Sequence, residues 1–229
     1  MSDGNLRRLD RLANLGTLSA GIAHEIKNSL TAVKTFIELL DCKNEEKELA
    51  EVVARELARI DTMVSQMLRF ASAKPATSAT VRVHDLLEYS LRLLQHQIAA
   101  KMVVVKRDYK ATSHVVRGDE AQLQQVFMNL FLNALEAMGM NGTLTVSTGT
   151  THAKSGARIL KVQIHDNGVG ISDENLARLF EPFFTTKKNG TGLGLAISQR
   201  IIKDLNGKVE VQSQVRKGSM FTISLPAVP

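Results

Sequence analysis

The chain has 229 residues, 44% of them apolar and only 4% aromatic, enough for a core built mainly from Leu, Ile, Val and Ala, in one large domain or two small ones. A formal charge of +6 and a pI near 9.5 favour nucleic acid, a membrane surface or an acidic protein partner, but no basic run is interleaved with aromatics, so nucleic acid is not expected. Cys42 stands alone and excludes an internal disulfide, in keeping with a reducing cytosol, and the sequence shows no signal peptide and no apolar run of membrane-spanning length.

Over residues 6–40 there is no proline, and small or apolar residues fall at Leu12, Gly16, Ser19, Ala23, Ile26, Leu30, Val33, Ile37 and Leu40. Alternating steps of four and three form the seam of a coiled coil or helical bundle and predict one long helix. After a polar break over 41–44 the alternation returns at Ala50, Val53, Leu57, Ile60, Val64, Met67 and Ala71, predicting a second helix to about residue 73. Two long helices joined by a short loop make an antiparallel hairpin, and its exposed seam predicts a homodimer that closes a four-helix bundle.

One turn of the first helix reads His24-Glu25-Ile26-Lys27-Asn28. His24 lies one position past the seam residue Ala23, so its ring should face solvent, with Glu25 beside it and Asn28 one turn on. An exposed imidazole next to a carboxylate can serve as a nucleophile, one ring nitrogen attacking while the other N–H is held. The plainer reading is a solvated helix face with an incidental histidine. The zinc signature His-Glu-x-x-His is not met, because position 28 is Asn.

Residues 71–80, small and polar around Pro75, read as linker, which divides the chain into a helical hairpin over 1–73, a linker over 74–80 and a second domain over 81–229. In that domain the pattern predicts a strand over 81–83, an amphipathic helix over 85–100, strands over 102–108 and 113–117, and a helix over 120–138 introduced by Gly118-Asp119. Asn129 and Asn133 share one face of this helix; side-chain amides suit a buried stripe poorly unless they meet a ligand or ion, the alternative being plain surface positions. Strands over 143–150 and 158–165 follow, then a long polar segment, a helix to about residue 206, and a hairpin over 208–213 and 219–225 turned at Lys217-Gly218. This order predicts an α+β sandwich with helices over one face of a mixed sheet.

The strand over 158–165 delivers Asp166 to its end, followed by Asn167-Gly168-Val169-Gly170, where two glycines let the backbone pass close to a flat ligand. A second cluster, Gly190-Thr191-Gly192-Leu193-Gly194, runs into the helical pattern Leu195, Ile197, Ile201 and Ile202, placing bare amides at a helix N-terminus that favours phosphate oxygens. Between them lies a segment long enough to be a lid. Neither cluster is a P-loop and neither has the spacing of a dinucleotide fingerprint, so two ordinary turns stand as the alternative.

Taken in order, these motifs resemble the catalytic core of a sensor histidine kinase of a two-component system, closest to the nitrogen-regulation type, and the resemblance covers essentially the whole chain. The turn from His24 to Asn28 resembles the phosphoacceptor box of the dimerisation and histidine-phosphotransfer domain. The helix carrying Asn129 and Asn133 resembles the asparagine box, and Asp166 to Gly170 the first glycine box. Phe180-Glu181-Pro182-Phe183-Phe184-Thr185-Thr186-Lys187 resembles the phenylalanine box, and Gly190 to Leu195 the second glycine box.

The resemblance implies a Bergerat-type ATP-binding fold shared with DNA gyrase and MutL, with ATP and Mg²⁺ as cofactors. Those relatives are ATPases with a water-activating Glu four residues before the magnesium-binding Asn; here Asn129 holds that place. By the same carry-over Asp166 should meet the adenine amino group beside Gly168 and Gly170. Asn133 should hold Mg²⁺ with Asn129 assisting, Phe180 and Lys187 should belong to the lid with Lys187 on phosphate, and the backbone from Gly190 through Thr191, Gly192, Leu193 and Gly194 should cradle the polyphosphate. Glu136 departs from the family by standing where many relatives have a basic residue, which brings in Lys188 and Arg178 as lesser phosphate cations.

The implied activity is autophosphorylation of His24, assisted by Glu25, and transfer to an aspartate of a response-regulator receiver domain. Asn28 is similar to the residue that positions water in the reverse, phosphatase reaction. A homodimer without membrane contact of its own is expected, cytosolic or the cytosolic part of a receptor. The competing classes are a nucleotide-binding scaffold without kinase activity and an anti-sigma-type serine kinase on the same fold.

Overall fold

A computed structural model describes Thr31, Thr35, Val53, Leu57, Ile60 and residues 79–228 other than 154, 188 and 189. His24, Glu25, Asn28, Lys188 and the turn over 41–44 lie outside the described residues. The chain divides into two compact units, Met1–Lys74 and Pro75–Pro229. In the first, the five described positions are all helical, and the Thr35 hydroxyl donates to the Thr31 carbonyl one turn back at 3.0 Å. Leu57, a seam position, leaves 49% of its surface open in the single chain.

The second unit runs β1 Ala79–Arg82, α1 Val83–Leu93, α2 Gln95–Ala100, β2 Val104–Tyr109, β3 Val115–Gly118, α3 Glu120–Ala137, β4 Thr143–His152, β5 Arg158–Asp166, α4 Asp173–Arg178, α5 Gly194–Asp204, β6 Lys208–Gln214 and β7 Gly218–Pro226. β1 and β3 form a separate antiparallel pair. The main sheet has the order β2-β4-β5-β7-β6, with β2 and β4 parallel and every other pair antiparallel. It is the mixed sheet of an α+β fold.

Period-two alternation builds one buried sheet face from Leu144 and Val146 of β4, Leu160, Val162 and Ile164 of β5, and Phe221, Ile223 and Leu225 of β7. α3 packs on β5 and β7 through a stripe that includes Val126, Phe127, Leu130, Phe131 and Ala134, and α1 and α5 pack on α3. α3 starts cleanly because the Asp119 carboxylate accepts from the Gln122 amide at 3.0 Å. The element that carries both asparagines is therefore the central helix of the core layer.

Three local expectations are corrected. The helix expected over 85–100 begins at Val83, whose amide donates to the His114 carbonyl at 2.9 Å, and it breaks at Leu94. There a tight turn from the Leu94 amide to the Leu91 carbonyl buries Leu94 and leaves Leu93 half-exposed. The strand expected over 81–83 spans Ala79–Arg82, because pairing with β3 draws two residues of the expected linker into the ladder. The segment between the glycine clusters contains a short helix, α4, capped by the Ser172 hydroxyl accepting from the Asn175 amide at 3.4 Å.

Candidate nucleotide-binding site

Asp166 ends β5 and is only 2% exposed, its Oδ1 accepting from the Gly168 amide at 2.8 Å. Burial raises its pKa, opposed by hydrogen bonds from the Gly168 and Ser219 amides. An ionised carboxyl group accepts more than these two hydrogen bonds, so it can take a further donor of the kind the exocyclic amine of a purine supplies.

The loop beyond Asp166 is held tightly. A Cβ on Gly168 would stand 2.5 Å from the Ala137 carbonyl oxygen at the end of α3 and 2.8 Å from Asp166 Oδ1, so no larger residue fits without a shift. The Val169 amide donates to that same carbonyl at 3.1 Å, and the Arg216 amide donates to the Val169 carbonyl at 2.7 Å. Gly170, at φ 71°, lies against the backbone of Gln214. The first glycine cluster is thus stitched to the C-terminus of α3 on one side and to the β6–β7 turn on the other.

The second cluster meets the same helix a little over two turns earlier. Asn129 Nδ2 donates to the Gly194 carbonyl at 3.1 Å and to the Ser198 hydroxyl at 3.3 Å, while Ser198 donates to the Gly194 carbonyl at 2.8 Å. Gly192 has φ 65°, and a Cβ there would overlap the backbone of Phe183, whose amide donates to the Gly192 carbonyl at 3.0 Å. Leu193, buried, is the N-cap residue of α5 and offers no side-chain acceptor. The first-turn amides of α5 therefore suit an anion, which fits a polyphosphate.

Between the two clusters, Lys187 Nζ donates to Asn133 Oδ1 at 2.7 Å and pairs with Glu136 Oε2. Phe180 and Gly190 are half-buried, and the Gly190 amide donates to the Lys187 carbonyl at 3.2 Å. Thr191 Oγ1 accepts from the Leu193 amide at 3.4 Å. Arg178, expected as a lesser phosphate cation, pairs with Glu181 at 3.1 Å and lies 4.4 Å over the Phe184 ring.

The structure thus brings Asn129 to the second glycine cluster, Asn133 and Glu136 to the lid, and Ala137 to the first glycine cluster, all along one helix. An open recess of about 400 Å³ lined by Glu88, Leu91 and Arg92 of α1, with residues of α2 and β2, includes none of these positions. Sequence reasoning missed Ser198 and Ser219. The first lies one turn past Gly194 on α5, and the second faces Asp166 across the β5–β7 ladder. Only the register between strands could have found it.

Two family models match the chain. Residues 14–75 match the His Kinase A (phospho-acceptor) domain, and residues 118–229 match the histidine kinase-, DNA gyrase B- and HSP90-like ATPase. Sensor histidine kinase ZraS of Salmonella typhimurium is 36% identical over 97% of this chain and 48% of its own length. Sporulation kinase C of Bacillus subtilis is 34% identical over 96% of this chain and 51% of its own. The chain spans about half the length of the curated relatives it matches. Among solved structures, histidine kinase ThkA in complex with response regulator protein TrrA superposes with a TM-score of 0.79 at 26% identity, covering 97% of this chain and 64% of that one. With a phosphoacceptor family followed by an ATPase family along a single chain, the protein belongs to the sensor histidine kinases of two-component systems and carries their catalytic core.

Proposed function

We propose that the protein is an ATP-dependent protein-histidine kinase that phosphorylates its own His24 and passes the phosphoryl group to an aspartate of a response-regulator receiver domain. The observation that carries this reading is the row along α3, where Asn129, Asn133 and Ala137 meet the second glycine cluster, the lid lysine and the first glycine cluster in turn. Asp166 would accept from the adenine amino group. The α5 amides and Lys187 would hold the phosphates, and Asn133 would hold Mg²⁺, which supplies charge neutralisation as negative charge spreads over the transferring group.

Asn129 bears on the fate of the γ-phosphate. Its amide donates to Gly194 and Ser198 and has no basic group with which to activate water. The terminal phosphoryl group is then kept for a protein nucleophile, and the imidazole of His24 is one. Glu25 would hold the proton on one ring nitrogen while the other attacks phosphorus; the bond to the β,γ-bridging oxygen breaks and ADP leaves. The phosphohistidine so formed is labile enough to be drawn to a carboxylate, and the basic chain suits an acidic regulator. Asn28 would position water in the reverse reaction, and the apolar seam would pair two chains.

Incubation with ATP labelled in the γ position and Mg²⁺ should give acid-labile, alkali-stable phosphate on the chain, lost in His24→Gln. Undiminished labelling of that variant would sink the assignment, as would acid-stable phosphate on serine.

A further inference from the structure

The Lys187 ammonium sits between two oxygens of α3, Oδ1 of Asn133 at 2.7 Å and Oε2 of Glu136. These residues stand at i and i+3, hence on one face of the helix. A cation held between an amide oxygen and a carboxylate oxygen has the donor set that hard divalent ions select. We infer that Asn133 and Glu136 together form the protein's share of the seat for the nucleotide's Mg²⁺, that Glu136 is a metal-binding residue, and that the lid's own lysine occupies this seat in the structure. The inference rests on the ATP reading of the site.

Charge makes the consequence specific. A carboxylate on the phosphate side of α3 repels a polyphosphate unless a cation covers it. Lys187 covers it here, with the two side chains 43% and 53% exposed, so the pair is well solvated and exchanges readily. With Lys187 turned to the phosphates, Glu136 would need another cation, and with Asn133 it would hold a divalent ion that neutralises its charge. Glu136 thereby ties nucleotide affinity to the metal: it weakens binding of the bare nucleotide and strengthens binding of the metal complex. A basic residue at this position would attract phosphate with or without metal.

The test is calorimetric binding of a non-hydrolysable ATP analogue to the full chain, in Mg²⁺ and in EDTA, for the parent, Glu136→Gln and Glu136→Ala. The parent should bind more tightly in Mg²⁺. Both variants should lose about tenfold of that metal-dependent gain and should bind the metal-free analogue at least as well as the parent does. A gain in the variants equal to the parent's would overturn the inference and leave the ATP reading standing, as would a parent that binds equally well with and without metal. A parent that binds no nucleotide under either condition would overturn both.

Discussion

A residue's environment fixes what it can do before any ligand arrives, and Asp166 and His84 show this in opposite senses. The Asp166 carboxyl is buried, which raises its pKa above the ordinary 3.8. A raised folded-state pKa means the protonated form is the one folding favours, so that share of stability is present below 3.8 and is lost as pH rises through the raised value. Asp166→Asn keeps an acceptor for the Gly168 amide but has no charge to form. Melting temperatures measured from pH 4 upward should therefore shift in the variant's favour as pH rises, while nucleotide binding is lost. A constant difference between the two proteins across that range would refute the buried-charge account. His84 stacks on His114 at 4.1 Å and on Tyr109 at 4.9 Å, with its Nε2 2.8 Å from Thr148 Oγ1. Burial first, then His114, lowers its pKa, with Asp85 opposing. The unfolded chain then takes up a proton that the fold refuses, so stability falls as pH drops below 6.5. His84→Gln keeps a partner for Thr148 and should flatten that acid limb in a melting series. The Lys187 contact shows where residue-level reading stops. Glu136 is visible in the sequence, but its pairing spans 51 positions, and no spacing rule reaches so far.

At the scale of elements, alternation and helical period were enough for β4, β5, the β6–β7 hairpin, α3 and α5, because each turns one face further from water than the other and its pattern records that difference. The misread segments are those whose form is set by a neighbour. β1 owes its extent to β3, α1 begins where Val83 meets the His114 carbonyl, and its break follows from the core taking Leu94. The same distinction runs through the candidate site. Both glycine clusters were legible as turns, whereas their attachment to α3 is tertiary. Asn129 joins α3 to the start of α5, yet the Gly194 carbonyl also receives the Ser198 hydroxyl. Asn129→Ala should consequently cost only about 1 kcal/mol of stability, read by urea unfolding, and weaken nucleotide binding by loosening the α5 N-terminus against the asparagine helix. Gly192→Ala should be worse on both counts, at about 1–3 kcal/mol, because it combines a positive φ with a clash against the Phe183 backbone. Equal effects from the two substitutions would show that the lid junction is not under the constraint its geometry implies.

For the molecule as a whole, the division at Lys74 and Pro75 separates the nucleotide site from the proposed nucleophile. Among the described residues, the hydrogen bonds given above for the glycine clusters, the lid and the asparagine helix join residues of Pro75–Pro229, which has its own core. That unit expressed alone should fold and bind an ATP analogue in Mg²⁺ with the affinity of the full chain, yet take up no phosphate, since His24 is missing. Supplied to a full chain carrying Asp166→Asn, which keeps His24 and should not bind nucleotide, it should restore labelling on that chain. The rate, however, should rise linearly with the concentration of the added unit. With both units on one chain the partners should meet at an effective concentration in the millimolar range, so at about 10 μM the untethered reaction should run roughly 100-fold slower. Parent autophosphorylation, by contrast, should be independent of concentration within any range where its oligomeric state does not change. Labelling by the separated unit as fast as in the parent would mean that the linker contributes no proximity. Its complete failure to label at any concentration would mean that the unit needs more from the rest of the chain than a tether.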